Sequence, residues 1–287
     1  MSSSPIRNVS DTARWVAAYR AAETAQSDAI FHDHLADRLA GDRGREIAKL
    51  ASIHSQWALI TRTRVIDDLI ARAVAGGIDC VLNLAAGFDT RPYRLALPNE
   101  LLWIEADLPA LIDEKAELLQ VETPRCRLIR ERVDLADEGA RAAFLHDVNG
   151  RAQRTLVITE GLIIYLETDQ AASLARAIAE EPHLQQWIVD FSSPEIMQMM
   201  RKTMGDAMVQ APFKFLATGG VTFFERQGWQ AEHILSLMKE AGKLRRLPLW
   251  MRPFALLPQS NPRRTEGRWS IVAQYRRART SESAVTQ

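Results

Sequence analysis

Short apolar runs alternate with amphipathic stretches through the middle of the chain. Strand candidates lie at 79–84, 101–106, 127–133, 155–160 and 187–191, and helix candidates lie at 108–120, 137–147 and 168–180. Strands separated by helices imply crossover connections, which join parallel strands. The pattern therefore predicts an α/β fold, in which a mainly parallel, doubly wound sheet has helices on both faces.

The first 75 residues are predicted to form a helical N-terminal extension. One apolar stripe repeats at helical spacing and is typical of a helix packed on a sheet; it consists of Ile66, Leu69, Ile70 and Ala73. Gly76–Gly77 follows the stripe, and glycine is the common residue just beyond a helix C-terminus. We therefore expect an α/β core at 78–192, within a single domain that spans 1–278.

The segment 194–240 interrupts the alternation because it is dense in Met and Phe, including Met197, Met200 and Phe213. Side chains of these types form adaptable apolar linings, so we predict a helical lid over a substrate site. A helix packed on the sheet is the alternative interpretation. The segment 245–277 is expected to supply closing strands, as a hairpin at the sheet edge. The polar residues 279–287 predict a disordered tail.

Composition narrows the choice of partner and compartment. The 287 residues carry 36 basic and 36 acidic side chains, so the net charge favours neither nucleic acid nor an anionic membrane. The N-terminal residues lack the apolar core of a signal peptide, and no apolar run approaches the ~18 residues that span a bilayer. A cytoplasmic protein with a small-molecule or peptide partner is expected, and its oligomeric state is not encoded in any visible pattern.

The cysteines and histidines predict neither a disulfide framework nor a metal site. Cys80 and Cys126 are too few for a framework, and we interpret both as small apolar residues on strands. His32 and His34 are the closest histidine pair, but they have no third ligand nearby in the sequence.

Residues 83–91, NLAAGFDTR, are the most informative segment. They follow an apolar run, and the small residues Ala85, Ala86 and Gly87 allow the backbone to approach a ligand. Asp107 ends the next apolar run at the spacing of a carboxylate that accepts hydrogen bonds from ribose hydroxyls. The two features together predict a site for an adenine-containing cofactor, with an ordinary turn and a helix-capping Asp as the alternative.

Five motifs follow one another along the chain. They are RTRVIDD at 62–68, NLAAGFDTRPYRL at 83–95, WIEADLP at 103–109, VDL at 133–135 and TEGLIIYL at 159–166. Together they resemble the S-adenosylmethionine-dependent methyltransferases of the leucine carboxyl methyltransferase type, including bacterial O-methyltransferases. The resemblance implies S-adenosylmethionine as cofactor. It also implies a class I methyltransferase-like fold with a seven-stranded sheet, a helical N-terminal extension and a helical lid insertion.

The resemblance implies roles for the first motifs. Arg62 is expected to bind the methionine carboxylate of the cofactor, for which a planar donor fork is suited, and Arg64 is the competing candidate. The Ala85, Ala86 and Gly87 turn is expected to face the methionine and ribose. Ala85 departs from the family, which usually has Gly there, so its methyl group occupies space near the cofactor.

The later motifs imply the remaining contacts. Asp107 is expected to accept the ribose hydroxyls, with Glu105 as the rival. Asp134 and the backbone of Leu135 are expected to contact the adenine edge, with a helix N-cap as the alternative role of Asp134. Glu160 is expected beside the amino group of the cofactor or the transferred methyl. Asp89 and Arg91 are interpreted as residues that hold the loop together by hydrogen bonds.

Methyl transfer from a sulfonium is an in-line displacement, so the protein must chiefly align the acceptor and exclude water. His183 and His233 are isolated, and no obvious base accompanies the motifs, which favours a carboxylate or an acidic hydroxyl as acceptor. Tyr165 is a candidate acceptor contact, or else a packed aromatic residue. Two alternative functions remain at this point: a nicotinamide-dependent oxidoreductase, which normally carries G-x-G-x-x-G, and a non-catalytic cofactor-binding protein of the same fold.

Overall fold

A computed structural model describes residues 6, 9–50, 56–204 and 212–278 of the chain. The N-terminal part is helical, as predicted, with α1 at Val9–Thr24, α2 at Ala36–Leu50 and α3 at Gln56–Ala75. Helix α2 is broken at Gly41, where φ is 57°. The predicted tail at 279–287 lies outside the described residues.

A seven-stranded sheet follows these helices. Its strands are β1 at Cys80–Leu84, β2 at Leu102–Asp107, β3 at Arg127–Arg132, β4 at Thr155–Thr159, β5 at Leu184–Ser192, β6 at Trp229–Ser236 and β7 at Ser270–Arg277. The strand order is β3-β2-β1-β4-β5-β7-β6. Strands β1 to β5 pair in parallel, and β7 runs antiparallel between β5 and β6. This arrangement confirms the predicted doubly wound, mainly parallel sheet.

Helices connect the strands and cover both faces of the sheet. They are α4 at Arg91–Arg94, α5 at Pro109–Leu118, α6 at Glu138–Arg151, α7 at Thr168–Glu180, α8 at Pro194–Met204, α9 at Thr222–Glu225, α10 at Leu237–Lys243 and α11 at Arg252–Leu256. None of the helices within the described residues is both long and apolar enough to cross a membrane.

Alternation along the buried strands divides the core between the two faces. Val81 and Trp103 lie in one cluster with the α3 stripe that includes Ile66 and Ile70. Their neighbours along the strands, such as Leu82, lie in a second cluster that contains residues of α6 and α7. Because successive strand residues point to opposite faces, the parallel strands are buried on both sides.

The predicted lid at 194–240 is wrong in its C-terminal part. Residues 229–236 form the edge strand β6, and Phe223, Phe224 and Trp229 are buried in the sheet core rather than in a lid. The ring of Phe224 meets that of Trp187 on β5 edge to face, with centroids 4.7 Å apart. Phe215, Ala217 and Val221 lie in the same core, so among the described residues of 194–240 only α8 and residues 212–214 remain available to cover a site. Residues 205–211 lie outside the described part.

The predicted closing hairpin within 245–277 is also wrong. Leu249–Met251 forms a 3-10 turn and α11 follows it, so only β7 is a strand in this segment. Pro248 and Pro253 explain the difference, because proline lacks the N–H that a strand ladder needs and favours the first turn of a helix. The strand that pairs with β7 on its outer side is β6.

The two cysteines are free and buried, as expected for small apolar residues. Cys80 begins β1, but Cys126 immediately precedes β3 rather than lying within a strand. Strand β2 lies between β1 and β3. Burial raises the pKa of the Cys80 thiol to about 12 and that of Cys126 to about 11, which keeps both thiols protonated and unreactive.

Candidate cofactor and acceptor site

The loop after β1 lies at the carboxyl edge of the parallel strands, where doubly wound sheets bind ligands. Ala85 has φ 54° and Gly87 has φ 46°, so two residues of the turn are in the left-handed region. The Ala86 amide donates to the Ala106 carbonyl at 3.2 Å, and the Gly87 amide donates to Asp107 Oδ2 at 2.7 Å. The small-residue turn is thus tied to the end of β2.

Asp107 is buried and accepts a second hydrogen bond, from the Leu108 amide at 2.8 Å. Burial raises the pKa of its carboxyl group, although the Gly87 and Leu108 amides and Lys115 oppose the shift. An ionised carboxylate has about four acceptor positions, so two remain after these bonds. Asp107 is therefore able to accept hydroxyl groups of a ligand.

Glu105, the rival of Asp107, is engaged elsewhere. Its carboxylate is fully buried and receives Lys115 Nζ at 2.8 Å and Arg130 Nε at 3.0 Å. Arg130 also donates to the hydroxyl of Tyr93 at 2.6 Å. These contacts make Glu105 a member of a structural ion-pair network, and they leave Asp107 as the carboxylate that faces the loop.

Arg62 on α3 is buried between two carboxylates. Its Nε donates to Glu160 Oε1 and its Nη1 to Asp190 Oδ2, both at 2.9 Å. Its Nη2 has no partner among the described residues. Gly161, with φ 68°, passes close to the guanidinium: a Cβ added there would lie 3.5 Å from both Nη1 and Nη2. One corner of the Arg62 fork thus remains for a ligand carboxylate.

Arg64 is separated from this centre. It forms an ion pair with Asp68 one helical turn away at 3.0 Å, and its Nη1 donates to the Ile30 carbonyl at 2.8 Å. The two arginines, between which the sequence did not decide, therefore lie in different surroundings. Arg62 lies at the carboxyl edge of the sheet, and Arg64 joins α3 to the segment between α1 and α2.

Glu160 follows β4 and lies between two arginines, with Arg91 Nη1 2.8 Å from its second oxygen. Burial raises the pKa of Glu160, but Arg91 and Arg62 outweigh that effect and hold it below its ordinary value. Asp190 on β5 has a raised pKa because of burial, which Arg62 and the Gly161 amide only partly offset. The Gly161 amide donates to Asp190 at 2.6 Å.

Asp89 and Arg91 hold the cofactor loop together, as the sequence predicted. Asp89 accepts from Asn83 Nδ2 at 2.7 Å and from Arg91 Nη1 at 2.7 Å, and Arg91 Nε reaches Asp67 at 2.6 Å. Arg94 also binds Asp67, at 2.6 Å. In the ion-pair network four carboxylates, those of Asp67, Asp89, Glu160 and Asp190, bind three guanidinium groups, those of Arg62, Arg91 and Arg94. When all of these groups are ionised, the network carries one excess negative charge.

The N-terminal extension clamps the same loop, which the sequence did not reveal. Arg20 on α1 donates to the Phe88 carbonyl at 2.6 Å and to Asp33 at 2.8 Å, and Thr90 donates to Asp33 at 2.6 Å. A Cβ added to Gly87 would lie 3.4 Å from the Cβ of Ala13. Helix α1 therefore lies directly against the turn. Pairs so distant in sequence leave no periodic signal.

Asp134 and Leu135 follow β3 at the same edge, because the Val133 amide donates to the Asp107 carbonyl at 2.9 Å. Asp134 is exposed, and its side chain accepts from the Ala136 amide at 2.9 Å. The alternative role of Asp134 as the N-cap is wrong: the α6 cap is Asp137, which accepts from the Ala140 amide at 2.9 Å.

Tyr165 ends a 3-10 turn, Ile163–Tyr165, that follows Glu160. Its hydroxyl bonds to Thr12 of α1, and burial raises its pKa to about 12. Its ring lies 5.8 Å from that of Phe213. Tyr165 therefore packs between α1 and the remaining lid segment. Trp15 Nε1 and the Tyr19 hydroxyl belong to the same cluster, are buried and have no hydrogen-bond partner among the described residues.

Asp190 is the site residue that sequence reasoning missed. A signal for it existed, because it follows the apolar run Trp187–Val189 in the way that Glu160 follows Leu156–Ile158. Within the described ranges no group of three or more His, Cys, Asp or Glu side chains is arranged so that it could hold a metal ion.

The comparisons with known proteins agree with this geometry. Two solved structures share the fold over nearly the whole chain. One is a provisionally named methyltransferase from Thermobifida fusca, with a TM-score of 0.60, 13% identity and coverage of 96% of both chains. The other is a DUF574 family protein from Streptomyces avermitilis, with a TM-score of 0.58, 15% identity, and coverage of 93% of this chain and 97% of that one. The fold is thus that of the class I methyltransferases.

Sequence similarity gives the family. The profile of the family described as leucine carboxyl methyltransferase matches residues 13–179. A Streptomyces coelicolor protein, provisionally named an S-adenosyl-L-methionine-dependent methyltransferase, is 35% identical over 59% of this chain and 64% of its own length. A Frankia alni protein with the same provisional name is 29% identical over 81% of this chain and 88% of its own.

The chain therefore belongs to the leucine carboxyl methyltransferase family, whose profile covers more than half of it. The predicted family is confirmed. The chain spans 64% of the length of its Streptomyces coelicolor relative, so the activity and cofactor named for that protein come to this chain as a proposal.

Proposed function

We propose that the chain binds S-adenosylmethionine at the carboxyl edge of β1 to β4 and transfers its methyl group to an oxygen of a small molecule or a peptide terminus. The excess of carboxylates at this edge supports the proposal, because the sulfonium and ammonium of the cofactor are both positive. The small-residue turn, with backbone amides close to Asp107, provides a surface that a nucleoside can approach.

Each residue named from the sequence is assigned one part of the cofactor in this proposal. Arg62 binds the methionine carboxylate through Nη2, the one nitrogen of its fork without a partner among the described residues. Glu160 faces the amino group, because it is bound to Arg62 and the amino group is attached next to the carboxylate that Arg62 binds. Asp107 accepts the ribose hydroxyls through its remaining acceptor positions, and Asp134 and Leu135 border the adenine.

The cofactor, when bound, supplies an electrophilic methyl group on sulfur, so the chemistry needs little covalent help from the protein. The residues of this chain contribute alignment and exclusion of water. Helix α1 lies over Gly87, and Arg20 and Thr90 fix the loop through Asp33, so the turn is held rigidly before any ligand binds. Ala85, Ala86 and Gly87 leave room for close approach.

One observation favours a carboxylate or an acidic hydroxyl as acceptor: the carboxylates at the described site are engaged by cations or amides. Glu160 binds Arg62 and Arg91, and Asp89 binds Arg91, and these arginines hold the pKa of both carboxyl groups below its ordinary value. A carboxylate salt-bridged to arginine is a poor proton acceptor at neutral pH. An acceptor that is already ionised needs no base.

The acceptor is proposed to bind between α1, the turn at Ile163–Tyr165, α8 and Phe213. Trp15, Tyr19, Met197 and Phe213 form one buried cluster there, and Tyr165 packs against it. Trp15 Nε1 and the Tyr19 hydroxyl have no partner within the described ranges, which favours an acceptor molecule with oxygen atoms on an apolar or aromatic frame, because leaving a buried donor without a partner costs about 1–3 kcal/mol.

Calorimetry with S-adenosylhomocysteine tests the cofactor assignment directly, and absence of binding would overturn it. Transfer of a tritiated methyl group from S-adenosylmethionine to panels of carboxylic acids and phenols then tests the acceptor. Methyl esters release methanol in alkali, whereas methyl ethers do not. We expect base-labile label, or label on phenols whose pKa is well below the ~10 of an ordinary phenol.

The pH profile separates the two acceptor types. Transfer to a carboxylate is expected to be independent of pH above the acceptor pKa, while transfer to a hydroxyl rises until the hydroxyl ionises. The variant His54→Ala belongs in the same assay, because histidine is a common general base and His54 lies outside the described residues. A loss of activity confined to neutral hydroxyl acceptors in that variant would contradict the proposal that no base is needed.

Family membership decides against the nicotinamide-dependent oxidoreductase that the sequence left open. A non-catalytic cofactor-binding protein is the competing function, and the methyl group of Ala85 in the turn is the feature that favours it. Binding of S-adenosylhomocysteine without methyl transfer to either acceptor panel would support that function instead.

A further inference from the structure

The surface at 249–257 is unusually apolar. Its large apolar side chains are between 50% and 88% exposed: Leu249, Trp250, Phe254, Leu256 and Leu257. Single exposed leucines are common on protein surfaces, but contiguous apolar patches mark sites of interaction. Five such side chains within nine residues therefore indicate that this surface binds a partner.

The backbone beneath these side chains is held in place. Ala255 packs so closely on α10 that a Cβ added to Gly242 would lie 2.7 Å from the Ala255 Cβ. The Gln259 side chain donates to the Phe254 carbonyl at 3.0 Å and to the Leu257 carbonyl at 3.1 Å. Leu247 is buried just before the 249–257 surface. The apolar side chains are therefore presented on an ordered support.

The segment that carries the 249–257 surface is positively charged. Residues 241–265 contain no Asp or Glu, and their basic residues are Lys243, Arg245, Arg246, Arg252, Arg263 and Arg264. Lys243 forms an ion pair with Glu240 on the same helix, α10, and Arg246 and Arg263 pair with Glu23 and Glu225. Arg245, Arg252 and Arg264 are exposed and have no carboxylate partner within the described ranges. The net charge of the whole chain is zero, so it does not reveal this local excess of positive charge.

We propose that the 249–257 surface binds the surface of an anionic lipid bilayer. Exposed leucine and aromatic side chains enter the interfacial region of a bilayer, and nearby arginines attract anionic headgroups. A second copy of the chain fits less well. In a two-fold contact the surface would face itself and oppose the same unpaired arginines. A protein partner would need pockets that match these protruding side chains, whereas a lipid bilayer would not.

Flotation of the full chain with lipid vesicles tests the proposal. We expect the protein to float with vesicles of phosphatidylcholine and phosphatidylglycerol, to bind phosphatidylcholine vesicles weakly, and to be released by salt. The variant Leu256→Ser/Leu257→Ser is expected to weaken binding roughly tenfold or more, since each leucine loses apolar contact with the bilayer. Arg252→Gln/Arg264→Gln is expected to remove the preference for phosphatidylglycerol.

Val121→Ser is the matched control, because Val121 is exposed in a loop before β3, far along the chain from the 249–257 surface. It should bind vesicles like the wild type. Absence of flotation with either vesicle, or flotation unchanged by the leucine pair, would overturn the proposal. A dimer seen by sedimentation velocity that the leucine pair dissolves, without vesicle binding, would show that a second copy covers the surface. Binding of S-adenosylhomocysteine should be equal in all variants, which confirms that they are folded.

Discussion

The backbone amide of Gly87 donates to the carboxylate of Asp107 at 2.7 Å, across twenty residues of sequence. This bond joins the turn after β1 to the end of β2, the two places where the sequence predicted a cofactor contact. It also fixes one oxygen of Asp107 before a ligand arrives. The turn and the carboxylate are therefore parts of one preformed structure.

Asp107→Ala is expected to weaken binding of S-adenosylhomocysteine by roughly 1–3 kcal/mol, because the ribose hydroxyls and the Gly87 amide lose their acceptor. Calorimetry on the purified variant measures this. Asp113→Ala, on the exposed side of α5, is the control and should bind like the wild type. Unchanged affinity in Asp107→Ala would contradict the ribose assignment.

Ala85→Gly is expected to stabilise the protein by roughly 0.5–1 kcal/mol. Ala85 has φ 54°, where a Cβ costs about 1–2 kcal/mol, and this gain exceeds the added entropy of glycine in the unfolded chain. Urea unfolding without ligand measures the change. Ala86→Gly is the matched control and should be destabilising, since Ala86 is not in the left-handed region. Equal losses in both variants would contradict the strain at Ala85.

Local pattern was sufficient to predict most of the sheet. Strands β1, β2, β4 and β5 contain apolar runs, and together with β3 they alternate with helical segments, so a parallel sheet follows from that order. The pattern failed at 249–256, where apolar residues with interspersed prolines resemble a strand but form short helical turns. It also failed at β6, which contains exposed polar residues, including Glu232 and His233.

The site was predictable only in part, for a different physical reason. Residues at the ends of strands, such as Asp107 and Glu160, have a fixed position once the sheet is known. The partners of those residues come from distant segments: Arg62 binds Asp190 across 128 positions, and Arg20 reaches Phe88 across 68. Such pairs depend on how α1 and α3 pack on the sheet, which side-chain periodicity does not specify.

Lys115→Met is expected to destabilise the protein by about 3 kcal/mol, because it removes one cation from the buried carboxylate of Glu105. Urea unfolding measures the loss. Arg132→Met is the control, since the Arg132 and Asp113 side chains are exposed and solvent screens such a pair, so that it contributes little to stability. The double variant Glu105→Gln/Lys115→Met should regain part of the stability. Similar losses for Lys115→Met and Arg132→Met would refute the structural role of the buried pair.

Glu160→Gln is expected to cost roughly 3 kcal/mol at neutral pH, because Arg62 and Arg91 both lose their shared carboxylate. The pKa of Glu160 is lowered in the folded chain from 4.5, so acid protonates the unfolded state first. Its contribution is therefore complete above pH 4.5 and is lost as the pH falls through the folded pKa.

The difference in unfolding free energy between wild type and Glu160→Gln should thus be constant near neutral pH and shrink in acid. Urea unfolding at a series of pH values measures it, without ligand. Glu117→Gln, on the exposed side of α5, is the control and should stay within about 0.5 kcal/mol of the wild type throughout. A difference that grows as the pH falls would mean that Glu160 is protonated more readily in the folded chain, contrary to its position between two arginines.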